Sequence, residues 1–257
     1  MRAGDLGRAI GLAHRAIDSG HVDPVLFSLR AHWRKENGRH LDALADLERA
    51  RDLDPHSPEI LSGIAECLNV LGHYRKALRS AEDALIRDQG FAAAWFQKAL
   101  AHQMLNEFND VLSALLETLR FEPNHVDALA RLAELYMNQS KPEAARVYAD
   151  RALALYPGHD IAHIVHIALD MKEKREDAAD MRIQVLLSNP RTQPVTRANA
   201  LSQLGDLRDK QQRTAEAFRS YREAKEAWIV AYGSQYLRPE LEPVPQMLER
   251  LATAFAA

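Results

Sequence analysis

Residues 40–90 read HLDALADLERARDLDPHSPEILSGIAECLNVLGHYRKALRSAEDALIRDQG, and this stretch decides the fold. Ala43, Leu47 and Ala50 are spaced four and then three apart, and Ala77, Ala81 and Ala84 repeat that spacing 34 residues later. The spacing puts each set on one face of an α-helix, and small side chains there let a neighbouring helix approach closely. Between the two sets, Leu-Asp-Pro-His-Ser-Pro (53–58) interrupts the helix, because proline cannot continue a helix interior. After the break, Leu61 and Ala65 mark another helical face and Leu71-Gly72 marks a turn. The stretch spells helix, proline turn, helix, turn, helix.

The same grid extends in both directions. Pro55, Pro123 and Pro157 fall on the series 55, 89, 123 and 157, with Gln89 in the remaining slot. The triplets Ala9, Ala13, Ala16, then Val111, Leu115, Thr118, and Ala145, Ala149, Ala152 hold the same phase. Ahead of them, Phe27 with Ala31, Trp95 with Ala99 and Leu129 with Ala133 repeat the large-then-small pattern of Leu61 and Ala65. Turn residues recur at Asn37-Gly38, Asn106-Glu107 and Ser140-Lys141-Pro142. Self-similarity at a fixed period means stacked copies of one unit, each burying its neighbour's apolar face. The pattern predicts an all-α array over 1–187, with a half-hairpin at 1–20 and units starting near 24, 58, 92, 126 and 160.

These residues resemble the tetratricopeptide repeat, which has bulky and small residues in its first helix, small residues in its second and a closing proline. Lys98, where a leucine is usual, and Gln89, in a proline slot, depart from that pattern. The resemblance implies a right-handed superhelical solenoid of antiparallel hairpins whose concave wall, built by the first helices, takes an extended or helical peptide. It implies a scaffold or adaptor that binds protein. The wall residues are then His32, Lys35, Glu66, Asn69, Phe96, Leu100, Gln103, Glu134 and Met137. The Lys/Asn/Arg clamp by which chaperone-binding members hold a C-terminal carboxylate is missing at these positions. Phe96, Leu100 and Met137 form an expected apolar strip flanked by Glu66 and Glu134, suited to an amphipathic helix carrying basic residues.

Beyond residue 160 the pattern loosens. The last good hairpin starts near Ala198, 38 residues after position 160, with Leu201, Gly205, Ala217, Tyr221 and Ala224 in the usual relative places. Residues 189–194 are expected to absorb the extra four, so 188–197 reads as a linker loop. Residues 198–257 then hold a further hairpin, its second helix running through Trp228 towards Ala231, and a C-terminal capping helix built on Met247, Leu248, Leu251 and Phe255. At the other end the half-hairpin leaves Ile10, Ala13 and Ile17 without a partner helix, which predicts a covering partner, a homo-oligomer or a longer parent protein. Leu204-Gly205, Ala217-Phe218, Tyr221, Ala224, Tyr232, Tyr236 and the segment Leu251 to Phe255 also resemble the end of the repeat region in bacterial tetratricopeptide-repeat sulfotransferases. That resemblance implies an alternative, an N-terminal repeat arm whose catalytic domain lies outside this chain. The Pro-Arg-Ser-Gly-Thr-Thr-type loop that holds the sulfate donor in that family does not occur here.

Composition narrows the function classes. The 257 residues are 47% apolar, enough for a substantial core. With 33 Lys+Arg against 36 Asp+Glu the formal net charge is -3, so nucleic acid and anionic membrane are not expected partners. Apolar runs such as Ile161 to Leu169 fall short of the roughly 20 residues that cross a bilayer. Residues 1–20 mix Asp5 and Asp18 with arginines and do not read as a signal peptide, which points to the cytoplasm. Cys67, the only cysteine, allows no internal disulfide and reads as core. No GxGxxG, Walker-type Gly-Lys-Ser/Thr or GxSxG motif occurs, so no cofactor and no enzyme activity are assigned. Asp42, Asp46 and Glu48, and the basic Arg30, Arg34, Lys35 and Arg39, read as solvated helix faces. One constellation has ligand spacing. His163, His166 and Asp170 share a helical face just after His159 and are compatible with a divalent metal. The stronger expectation is no metal, because both histidines fall on interior first-helix positions where neutral imidazoles pack.

Overall fold

Capping side chains and prolines set where the hairpins begin. Asp23 accepts a hydrogen bond from the Val25 N–H at 2.7 Å, and Ser57 accepts one from the Ile60 N–H at 3.2 Å. Pro24 and Pro58 follow them in the first helical turns, where a missing N–H leaves no intrahelical bond unmade. At the equivalent positions His125 and His159 offer Nδ1 to the Ala128 and Ala162 N–H groups. The computed structural model describes residues 3–236 apart from Arg191, and all regular structure among them is helical.

The chain divides into two units at Leu132 and Ala133. The first holds α1 (Ala3–Asp18), α2 (Pro24–Glu36), α3 (His40–Leu53), α4 (Pro58–Val70), α5 (Tyr74–Arg87), α6 (Ala92–Met104), α7 (Phe108–Phe121) and the start of α8 (Val126–Asn138). The second holds the rest of α8, α9 (Pro142–Leu155), α10 (Asp160–Lys172), α11 (Glu176–Ser188), α12 (Pro194–Lys210) and α13 (Thr214–Tyr236). The helices that open the hairpins, α2, α4, α6, α8 and α10, begin 34 residues apart and are each 13 residues long.

Every hairpin turn among the described residues is closed in the same way. Gly38, Gly72, Asn106, Ser140 and Lys174 adopt left-handed backbone with φ of 71°, 79°, 62°, 58° and 59°, and Gln212 does so at 59°. The residue after each donates its N–H five positions back, from Arg39 to Arg34, His73 to Leu68 and on to Arg213 to Arg208. This bond satisfies a carbonyl that the helix end leaves open. Glycine enters the left-handed region freely, whereas a residue with a Cβ is strained there by about 1–2 kcal/mol. The first five turns keep the 34-residue step and the sixth comes 38 residues after the fifth. The four extra residues lengthen α12, which has 17 residues against 13 in the earlier first helices. The segment expected as a linker over 188–197 is therefore helical from Pro194 onward, because proline suits a first helical position.

The small residues of the repeat are the packing surface. Ala43, Ala50, Ala77, Ala81, Ala84, Ala145, Ala149 and Ala152 are fully buried, as are Leu115 and Thr118. In the first unit Phe27, Leu47, Ile60, Ile64, Leu68 and Cys67 form one cluster, and Ile17 packs against it. Ala13 is also fully buried, so at Ala13 and Ile17 the face of α1 expected to lie open is turned into the core, while Ile10 is half-buried and Leu12 is exposed. Asp46 is likewise not on a solvated face. It is 2% exposed and binds Arg30 at 2.6 Å and Arg34 at 2.8 Å, which ties α2 to α3. In the second unit Ile167, Ile183, Leu186 and Leu207 anchor the core between α10, α11 and α12. No helix among the described residues is long and apolar enough to cross a membrane. The expected capping segment at Met247, Leu248, Leu251 and Phe255 lies outside the described residues.

Candidate protein-binding faces

In the first unit, polar rungs join successive first helices. Lys35 on α2 donates to Glu66 on α4 at 2.5 Å. Asn69 on α4 donates from Nδ2 to the Gln97 carbonyl on α6 at 2.9 Å and to its Oε1 at 3.1 Å. Arg131 on α8 donates to Gln103 on α6 at 3.0 Å. Each rung spends two polar side chains on bracing the wall, so Lys35, Glu66, Asn69 and Gln103 are half-buried and tied. Because Lys35 neutralises Glu66, that carboxylate does not supply the free negative charge expected beside the apolar strip. His32 stays exposed between rungs. Phe96 is half-buried with its ring 4.5 Å from that of His125, and Leu100 is half-buried beside it on α6. Glu134 and Met137 belong to the second unit, where both are half-buried.

The histidine constellation of α10 resolves into separate contacts. His159 caps the helix. His163 donates from Nε2 to the Pro157 carbonyl at 2.8 Å, and burial holds its pKa below the ordinary 6.5. His166 is 2% exposed, with Nε2 2.9 Å from Asp150, and burial pushes its pKa down as well. Asp170, 1% exposed, is held by Arg175 at 2.6 Å and Arg182 at 2.9 Å. Two guanidiniums on one carboxylate leave it engaged, and His163, His166 and Asp170 are not brought together as a ligand set. Among the described residues, donor atoms come within 4.8 Å of one another at His102, Glu107 and Asp110, where His102 Nδ1 and Glu107 Oε2 lie 2.6 Å apart.

Comparison with known proteins adds the family. Two family models described as tetratricopeptide repeat match, one over residues 35–101 and one over 96–160. Residues 35–160 match the tetratricopeptide repeat. Tetratricopeptide repeats serve in general as protein-interaction scaffolds, and the family is typically non-enzymatic. A thermophilic tetratricopeptide protein of Thermus thermophilus superposes with a TM-score of 0.60 at 20% identity, covering 70% of this chain and 98% of that one. The Cut9–Hcn1 hetero-tetramer of the APC/C gives a TM-score of 0.75 at 15% identity over 88% of this chain and 44% of its own. These likenesses show the fold. In sequence, the BBSome complex member BBS4 homolog of Drosophila melanogaster is 24% identical over 184 residues, 65% of this chain. The chain spans 37% of the length of that relative.

Within the tetratricopeptide units, sequence reasoning missed the rungs. Lys35 and Glu66 are 31 residues apart, and Asn69 and Gln97, like Gln103 and Arg131, are 28 apart. One 34-residue step combined with a one- or two-turn offset on the helix produces these separations, so a search for polar pairs at 28 and 31 residues would have found them.

Proposed function

We propose that the chain is a scaffold whose first unit binds a peptide or helix of another protein along the face of α2, α4 and α6. The observation that carries this is the set of side-chain rungs, which hold the wall rigid while leaving His32 exposed and Phe96 and Leu100 partly open beside them. A braced wall loses little freedom when a ligand lands, so more of the contact energy appears as affinity. With Glu66 paired, the ligand is selected by apolar contact with Phe96 and Leu100, supplemented by hydrogen bonding to His32. Substituting Phe96→Ala and Leu100→Ser and measuring recovery of bound protein on the immobilised chain tests the reading. Loss of a central apolar anchor lowers affinity by about tenfold, roughly 1.4 kcal/mol. Unchanged recovery by a variant with an unaltered far-UV circular dichroism spectrum would refute it.

A second reading takes residues 198–257 as the end of a sulfotransferase-type repeat arm. It is supported by the meeting of residues that carry the resemblance: the Tyr221 ring lies directly against Gly205. Sulfate transfer by the product of the complete open reading frame is the corresponding assay, and its absence sinks this alternative.

A further inference from the structure

We propose that the cavity between the C-terminal halves of α10 and α12 receives an arginine side chain of a bound protein segment. The inference rests on the protein-binding reading above and adds the chemistry of one subsite in the second unit. The cavity measures about 400 Å³ and is lined by Ala168 and Met171 from α10 and by Gln203, Asp206, Asp209 and Lys210 from α12.

The lining carries acceptors whose capacity the described residues leave largely unused. Gln203, also in the lining, has a buried Oε1 with no hydrogen-bond partner among the described residues. Asp206 accepts one bond, from the Tyr221 hydroxyl at 2.8 Å, which leaves most of the capacity of a carboxylate unused. Asp209 has no ion-pair partner among the described residues. Other carboxylates of the unit are used differently: Asp170 holds Arg175 and Arg182, and Asp180 holds Arg208. Arg208, although in the same last turn as Asp209, is turned to Asp180 at 2.7 Å and takes no part in the lining.

Helix geometry adds to the field. Asp209 lies in the last turn of α12 and Met171 in the last turn of α10, so the cavity faces two helix ends that carry partial negative charge. A carboxylate at such an end is disfavoured by its own helix, and no cation among the described residues pairs with Asp209. Lys210, exposed, also lines the cavity, which leaves one net negative charge from the two carboxylates. A guanidinium meets several spaced acceptors at once through its planar fork, whereas an ammonium acts as a point charge. Met171 and Ala168 supply the apolar surface that the methylene stem of an arginine needs.

Panning a displayed random-peptide library on the full chain, with D209N as the counter-selection target, tests the subsite. The expected binders share an arginine at one position. Its replacement by citrulline, which keeps the shape and loses the charge, weakens binding in fluorescence anisotropy by about tenfold, the loss of one charge-assisted hydrogen bond. D209N abolishes that arginine–citrulline difference while keeping side-chain size and the Asp206–Tyr221 bond. D206N, in which an amide oxygen can still accept from Tyr221, gives a second check with the same expected sign. Binders without a fixed arginine, with lysine in its place, or with a difference that survives in D209N, overturn the subsite and leave the scaffold reading standing. A library that yields no binder to the folded chain overturns both.

Discussion

Replacing Asp46 by alanine is expected to destabilise the first unit by about 3 kcal/mol. The carboxylate accepts from Arg30 Nε at 2.9 Å and Nη2 at 2.6 Å and lies 2.8 Å from Arg34 Nη1, with its own side chain 3% exposed. Removing it strands two guanidiniums that are only 14% and 19% exposed. Breaking a buried ion pair from one side costs about 3–5 kcal/mol, and the partial access of both arginines to water sets the value at the low end. For a unit of this size that loss lowers the melting midpoint by about 10 °C. Urea titration followed by far-UV circular dichroism gives the free energy, and hydrogen exchange at the amides of α2 and α3 localises it. In the triple variant D46A/R30M/R34M the orphan charges are gone and methionine refills the stems, so more than half of the loss is expected to return. A loss below about 1 kcal/mol in D46A, or a triple variant no more stable than D46A, would show that the cluster is not held together as a desolvated ion pair.

Three further outcomes are expected. An added Cβ at Gly205 would lie 2.4 Å from Tyr221 Cε1, so G205A should destabilise the second unit by about 1 kcal/mol despite the better helix propensity of alanine. In a Tyr221→Ser background the clash is absent and G205A should stabilise by a similar amount; thermal melts of the four variants decide. Cys67 is fully buried and its thiol is pushed up to about 11 by desolvation, so disulfide-exchange reagents should label it only at the rate at which the first unit opens. Labelling as fast as that of a free thiol would contradict its placement. Burial holds His166 below 6.5, reinforced by Arg182 and Arg146 and opposed by Asp150 and Asp170. The folded chain then binds fewer protons than the unfolded chain just below pH 6.5, so stability is present above that value and is lost as pH falls through it. H166F should flatten the change in melting midpoint between about pH 7.5 and pH 5.5, leaving the contribution of His163, which has the same sign.

Local chemistry repeated at a fixed step is readable without coordinates, and that accounts for what the sequence by itself determined. Small residues spaced four and three apart can only be a close helix–helix seam, and Ala77, Ala81 and Ala84 are fully buried in one. Gly38 and Gly72 sit where the backbone turns left-handed, and Cys67, inside an apolar run, is core. The fold class follows because each of these signals acts within one or two helical turns and recurs in phase. What only the tertiary structure decided is which polar side chains face one another. Asp46 and Glu48 look alike in sequence, but two positions turn one into a buried ion-pair centre and leave the other exposed. That Lys35 and Glu66 are partners was not legible, since their contact depends on how one hairpin is offset on the next. Asp209 and Asp170 differ in the same way: both lie at helix C-terminal ends, yet Asp170 is enclosed by two arginines and Asp209 opens onto a cavity. Charge pairing needs a separation of a few ångströms between atoms on different helices, and that distance is set by the packing of the whole unit.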